Sequence, residues 1–310
     1  MRFLPLVLAA AILVLPAPAA ALLDGTVYVY VPGLVTVQTE GSAEQWLANA
    51  EAAVGVESQS ASDDPLYADK PNLKYVDRAA RVMQRHWERL DAACDPDAVF
   101  ALMYLETTYT VRDHIAAGFF DDNEQLAIVT VAFLQLYFDA YHAWHAGDVA
   151  GTPLPWQEAF SGAEEHRTST LEDEFLGING HVNYDLAIAM WQTGIDESRK
   201  PDHDRINRVL LAAAPRVGAR ENAEYGLAET SSSGDPNDPF THTVLWPVYD
   251  WRELAWHNAM ALTNAQTDAE RAAIDAEMQT HGFTVAQGLQ TPKAPGDWEA
   301  RLALCEAGNA

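Results

Sequence analysis

The sequence predicts an all-α protein, a mostly helical and bundle-like single domain preceded by one short β-hairpin. Three observations carry this. Apolar residues recur at three-and-four spacing through long stretches. Capping signals stand ahead of several of those stretches. Alternation of β-branched and aromatic residues occurs convincingly in only one place.

Taken in order, the chain opens Met1-Arg2-Phe3, an uncharged apolar run Leu4–Leu15 and a small-residue close at Ala19–Ala21. This is the pattern of a secretory leader, residues 1–21, and it places the mature chain outside the cytoplasm, secreted or periplasmic. Residues 22–64 read as a hairpin, a short helix and a linker. Thr26–Val31 and Leu34–Val37 flank the turn Pro32-Gly33, and Ser58–Pro65 is polar.

The helical domain occupies 65–310. Tyr75–Cys94 carries Val76, Ala79, Ala80, Met83, Trp87 and Leu90 on one face. Asp95-Pro96 caps a helix to about His114. Asp122 with Gln125 opens Glu124–Trp144, and Trp156 to about Arg167 follows the break at Pro153 and Pro155. Ser169 with Glu172 opens a helix to about Gly194 that contains Gly177 and Gly180. Further helices are expected over Asp204–Ala214 and Tyr249–Leu262, from Thr267 to a stop at Gly282, and from Asp297.

Charge excludes whole classes of partner. The chain has 19 Lys and Arg against 45 Asp and Glu, a net charge of −26. Such a surface repels nucleic acid and anionic membranes. No segment after the leader reads as long and apolar enough to span a bilayer, so no membrane contact is expected after cleavage. Oligomeric state has no signature in the sequence. Cys94 and Cys305 are the two cysteines, and in an oxidising compartment they are expected to pair. Closing a loop of about 210 residues would contribute at most about 5 kcal/mol.

The chemistry concentrates in Gly177-Ile178-Asn179-Gly180-His181-Val182-Asn183-Tyr184-Asp185-Leu186. On a helix, His181 and Asp185 share a face, inside an apolar segment where lone polar groups are costly. The helix Glu124–Trp144 is apolar almost all round, except for a stripe of Gln135, Asp139 and His142. If the two helices face each other, His142, Asp139, His181 and Asp185 form a two-His, two-carboxylate set. That set suits a divalent metal such as zinc, iron or manganese. The same groups would equally make a hydrogen-bonded core with no metal. Arg112, beside Thr108, is a candidate clamp for a substrate carboxylate or phosphate, or else a buried ion-pair partner. Asn179, Asn183, Gln135, Thr108, Tyr104 and His257 are candidate contacts to a small-molecule ligand. His257 shares its face with Asp250, beside Tyr249, Trp251 and Trp256. No nucleophile elbow, phosphate-binding glycine loop or Cys-x-x-Cys pair occurs.

Several phrases together resemble a bacterial family, domain of unknown function 5995. They are Phe100-Ala101-Leu102-Met103-Tyr104-Leu105-Glu106-Thr107-Thr108, Trp156-Gln157-Glu158-Ala159-Phe160, Leu176 through Leu186, and Ala255-Trp256-His257-Asn258-Ala259. The resemblance spans about Tyr67 to Leu262. It implies a predominantly helical domain centred on His181, Asn183 and Asp185, and no established activity. The family pattern has Ala before the His, where this chain has Gly180. A more distant likeness is to zinc-dependent phospholipase C. That enzyme needs a later His-x-x-x-Glu step, which none of His203, His242, His257 or His281 supplies.

Two readings follow. One is an exported structural or ligand-binding protein whose core is ordered by the His/Asp/Asn cluster. The other is a metal-assisted hydrolase or other metalloenzyme using His181 and Asp185 with His142 and Asp139.

Overall fold

The computed structural model describes residues 40–55, 73–226, 233–291 and 297–308. The expected leader, the expected hairpin at 26–37 and the expected linker at 58–65 lie outside the described residues. Within them the chain is helical, and no strand occurs.

The helices are α1 (Glu40–Val54), α2 (Leu73–Ala92), α3 (Ala98–Ala116), α4 (Asn123–His145), α5 (Leu154–Glu164), α6 (Thr170–Ile178), α7 (Leu186–Gln192), α8 (Lys200–Tyr225), α9 (Pro239–Asn264), α10 (Asp268–Leu289) and α11 (Asp297–Gly308). A π-helical turn, Asn179–Asp185, joins α6 to α7. The π turn sits at the centre and packs on α4, α5, α9 and α10. Around it α3 packs on α2 and α8, and α7 on α9.

The capping chemistry explains the starts. Both capping boxes close, Ser169 with Glu172 and Thr267 with Glu270. At α4 only half of the expected box forms. Asp122 accepts from the Gln125 N–H at 2.9 Å, while the Gln125 side chain donates to the Thr193 carbonyl. Asp97, rather than Asp95, is the N-cap of α3, and its side chain turns away to His145 at 3.0 Å.

Three helix ends differ from expectation, those of α8 and α10 because packing outweighs a local stop signal and that of α9 because Asp238 caps an earlier start, accepting from the Thr241 N–H at 2.8 Å. α8 runs through Pro215 to Tyr225, as its buried residues Val209, Ala213 and Val217 continue a stripe laid along α3. α9 begins at Pro239 and passes Pro247. α10 continues past Gly282, which does not end the helix but lets it approach Pro155. A Cβ there would stand 3.0 Å from the proline ring.

One expectation about membranes also changes. By length and composition α4 is apolar enough to cross a bilayer, yet 56 % of its most apolar window is buried inside the protein. It is a core helix, with Leu134, Tyr137 and Phe138 buried. The expected bridge is present: Cys94 and Cys305 are joined, with Cα atoms 5.8 Å apart, and tie α11 to the end of α2.

Candidate functional site

Two glycines allow the central turn to sit where it does. A Cβ at Gly177 would overlap the Phe100 ring, and one at Gly180 would stand 2.9 Å from the Trp156 ring. The close approach is therefore to aromatic rings, and it draws α3 in against the end of α6 and α5 in against the π turn. The wider π register suits this crowding, since single π turns inside α-helices commonly mark functional sites.

The turn sorts its polar residues to two sides. Asn179 donates to the Gly282 carbonyl at 2.8 Å, and Asn183 donates to Asn179 Oδ1 at 2.8 Å. Both expected ligand contacts are thus spent on docking α10, as is Tyr184, which donates to Asp275 at 2.7 Å. His181 and Asp185 face the other way. His181 Nδ1 lies 2.9 Å from Asp185 Oδ2, and the same oxygen accepts from Trp156 Nε1 at 2.9 Å. The imidazole stacks on Phe133 with centroids 3.4 Å apart and meets the Tyr104 ring edge at 4.4 Å.

Three polar atoms at the turn remain buried without a hydrogen-bond partner, Asn183 Oδ1, His181 Nε2 and the Tyr104 hydroxyl, and of these residues His181 and Tyr104 line one mainly apolar cavity of about 190 Å³. The cavity runs between α3, α4, α6, α7, α8 and α9, walled by side chains such as Met103, Val129, Phe133, Leu186, Met190 and Leu245.

Burial sets the protonation here. It pulls the His181 pKa well below its ordinary value. It also lifts Asp185 well above the carboxylate range, opposed by the Trp156 N–H and reinforced by the charge of Asp139. The two groups therefore form a neutral pair. In such a pair a carboxyl proton given to Nδ1 leaves an Nε2–H facing the cavity.

The other sequence-derived candidates fall elsewhere. His142 is exposed and lines a separate cleft with Trp46, His86 and Asp139. Asp139 is hydrogen-bonded to Gln135 and raised to about 7 by burial, with Oδ2 enclosed and unpartnered. Neither meets His181. The α4 residue on the imidazole is Phe133, and a stripe that starts two residues later points roughly 200° around the helix. Among the described residues, the four expected ligands do not converge within metal-binding distance. A group that does is His203, Asp204 and Glu253. Lys200 already bridges those two carboxylates at 2.5 and 2.8 Å, and His203 Nε2 lies 3.1 Å from the Arg252 carbonyl.

Arg112 is half-buried outside the cavity. It pairs with Asp113 at 2.7 Å and approaches Asp77 at 3.6 Å, so its partners are half-buried or exposed acids and neither Asp139 nor Asp185. His257 is 69 % exposed beside Glu253, on the solvent face it shares with Asp250. Thr108 lines the cavity, with its hydroxyl donating to the Tyr104 carbonyl.

The residues that complete the site and were not foreseen are Phe133, Trp156, Glu174 and Glu221. Glu174 carried a readable signal, since it precedes His181 by seven residues within an apolar segment. Glu221 lies past the expected end of its helix.

No curated protein and no solved structure matches the chain, and no match supports the likeness to zinc-dependent phospholipase C. A family model does match, over residues 76–292, which include the cavity and the π turn. That match covers more than two-thirds of the chain, which thus belongs to the family of unknown function DUF5995.

Proposed function

We propose that this protein binds a small, largely apolar molecule in the cavity beneath the π turn, with His181 and Tyr104 holding its one polar end. The observation that carries this reading is the pair of unpartnered polar atoms, His181 Nε2 and the Tyr104 hydroxyl, on a mainly apolar wall. A buried polar atom with no partner costs about 1–3 kcal/mol, and a ligand oxygen that meets both recovers it. A dry cavity of about 150 Å³ holds a benzene-sized molecule, so about 190 Å³ suits eight to ten non-hydrogen atoms.

The same contacts favour a second reading, acid catalysis on the bound molecule. As Nε2–H passes its proton to a ligand oxygen, Asp185 returns one to Nδ1. The resulting carboxylate is met by the Trp156 N–H. A metal centre fits less well, because Asp185 Oδ2 already faces two nitrogens and the expected further ligands point elsewhere. Export accords with the leader pattern and with the Cys94–Cys305 bridge.

Calorimetric titration with 1-octanol tests the binding reading. Binding is expected in the wild type and its loss in Val129→Phe, which fills the cavity. No binding to the wild type, or equal binding to the filled variant, overturns it.

A further inference from the structure

We propose that the cavity has a second polar end, built by Glu174 and Glu221, which selects a ligand carrying a protonated amine. The inference rests on the binding reading and specifies the class of molecule bound. Glu174 on α6 and Glu221 on α8 both line the cavity and are hydrogen-bonded to each other. Each is almost wholly buried, at 6 % and 2 % exposure. Glu221 Oε1 has no partner.

Among the described residues no lysine, arginine or histidine forms an ion pair with either carboxyl, although most buried acids in this chain have such a partner. Glu51 has Arg78, Asp173 has Arg301 and Glu106 has Arg216. Two carboxyls forced together in an apolar wall must share protons or recruit a cation. Burial accordingly pushes Glu174 up to about 7 against the hydrogen bond with Glu221, and burial together with the charge of Glu174 pushes Glu221 up to about 10. An arriving ammonium supplies the missing counter-charge and gives Oε1 a donor. The strongly acidic chain attracts such a cation from solution.

The geometry also sets a length. Glu174, Ile178 and His181 line the cavity from one helical face, and seven residues of helix rise roughly 10 Å. The two ends are opposite in character. His181 and Tyr104 offer donors, while the glutamate pair offers acceptors and negative charge. The class that fits is a primary or secondary amine separated from a hydroxyl, ether or carbonyl oxygen by an apolar spacer of about eight atoms.

The test compares n-octylamine, 1-octanol and octanoate, one chain with three heads, by calorimetric titration of the full mature protein and of Glu221→Gln. In the wild type the amine is expected to bind about tenfold or more tighter than the alcohol, and octanoate most weakly. In Glu221→Gln the amine and alcohol should bind equally, with alcohol affinity unchanged. Equal affinity of amine and alcohol for the wild type overturns the amine site and leaves the cavity reading standing. Failure of all three to bind overturns both. Should Glu221→Gln not fold, Glu174→Gln removes the same pairing, and the wild-type amine-to-alcohol ratio still decides the matter.

Discussion

His181 and Trp156 address a single oxygen: Nδ1 of the imidazole and Nε1 of the indole each lie 2.9 Å from Asp185 Oδ2. This convergence fixes what Asp185 must be. Its oxygen has to satisfy the indole N–H while sharing a proton with the imidazole, all at 1 % exposure. Asp185→Ala leaves two buried nitrogens without partners and should cost about 2–4 kcal/mol of stability. Asp185→Asn should cost less than about 1 kcal/mol, because an amide oxygen in the same place accepts from both N–H groups. It would also force the His181 proton onto Nδ1 and turn Nε2 into an acceptor. Urea denaturation reads the first effect. The nitrogen-15 shifts of the imidazole read the second, and an unchanged tautomer would defeat the neutral-pair assignment.

Gly177→Ala tests the packing that seats the turn. In an ordinary helix the change would add about 0.5–1 kcal/mol of stability. Here the new methyl overlaps the Phe100 ring, which is itself packed on Tyr137 and Trp156 at 5.3 and 5.4 Å. We expect a net loss of about 1–3 kcal/mol by chemical denaturation. Combining it with Phe100→Leu should recover part of that loss, because the two sites share one contact.

The sequence shows the helices well and the site by half. Capping boxes at Ser169 and Thr267 stand where local chemistry demands, since each needs only four residues to form. The His181–Asp185 contact was legible from the same local spacing. Its partners were not. Whether Phe133 or Asp139 faces His181 depends on how α4 is rotated against the π turn, and a helix apolar almost all round gives no marker of that rotation. The ends of α8 and α10 are hidden from the sequence for a related reason. Pro215 and Gly282 look like stops until the long-range packing against α3 and Pro155 is known.

Alkaline pH should weaken the fold through the glutamate pair. Glu221 has an ordinary pKa of 4.5 and is raised to about 10 in the native chain by burial and by Glu174. The stability this raised value confers is complete below about 4.5 and is lost as pH climbs toward 10. Between pH 7 and 9 the native state holds a proton that the unfolded state lacks, so stability falls with pH, by up to about 1.4 kcal/mol per unit for one proton. Urea midpoints at pH 7, 8 and 9 should decline in the wild type and flatten in Glu221→Gln. Parallel slopes in the two proteins would contradict this.

Reducing the Cys94–Cys305 bridge should lower stability by up to about 5 kcal/mol, since it closes a loop across a separation of 211 residues. Melting with and without reductant measures this, and Cys305→Ser should reproduce the reduced value. Intact mass of protein exported by its host should show a start near Ala20 or Leu22 and two fewer hydrogens than the free thiols require.

Tyr104→Phe separates the cost of the empty cavity from its use. The Tyr104 hydroxyl is buried and unpartnered, so the apo protein gains nothing from it and bears its desolvation. Removing that oxygen leaves the ring against His181 at 4.4 Å and against Phe133 at 6.0 Å, so the packing survives. The variant should therefore melt at the wild-type temperature or slightly above it. Its affinity for 1-octanol should nonetheless fall about five- to tenfold, because the ligand oxygen keeps His181 Nε2 and loses the second contact. A structural role for the hydroxyl would give the reverse, a lower melting temperature with unchanged affinity. That outcome would return Tyr104 to the core and leave His181 alone at the polar end.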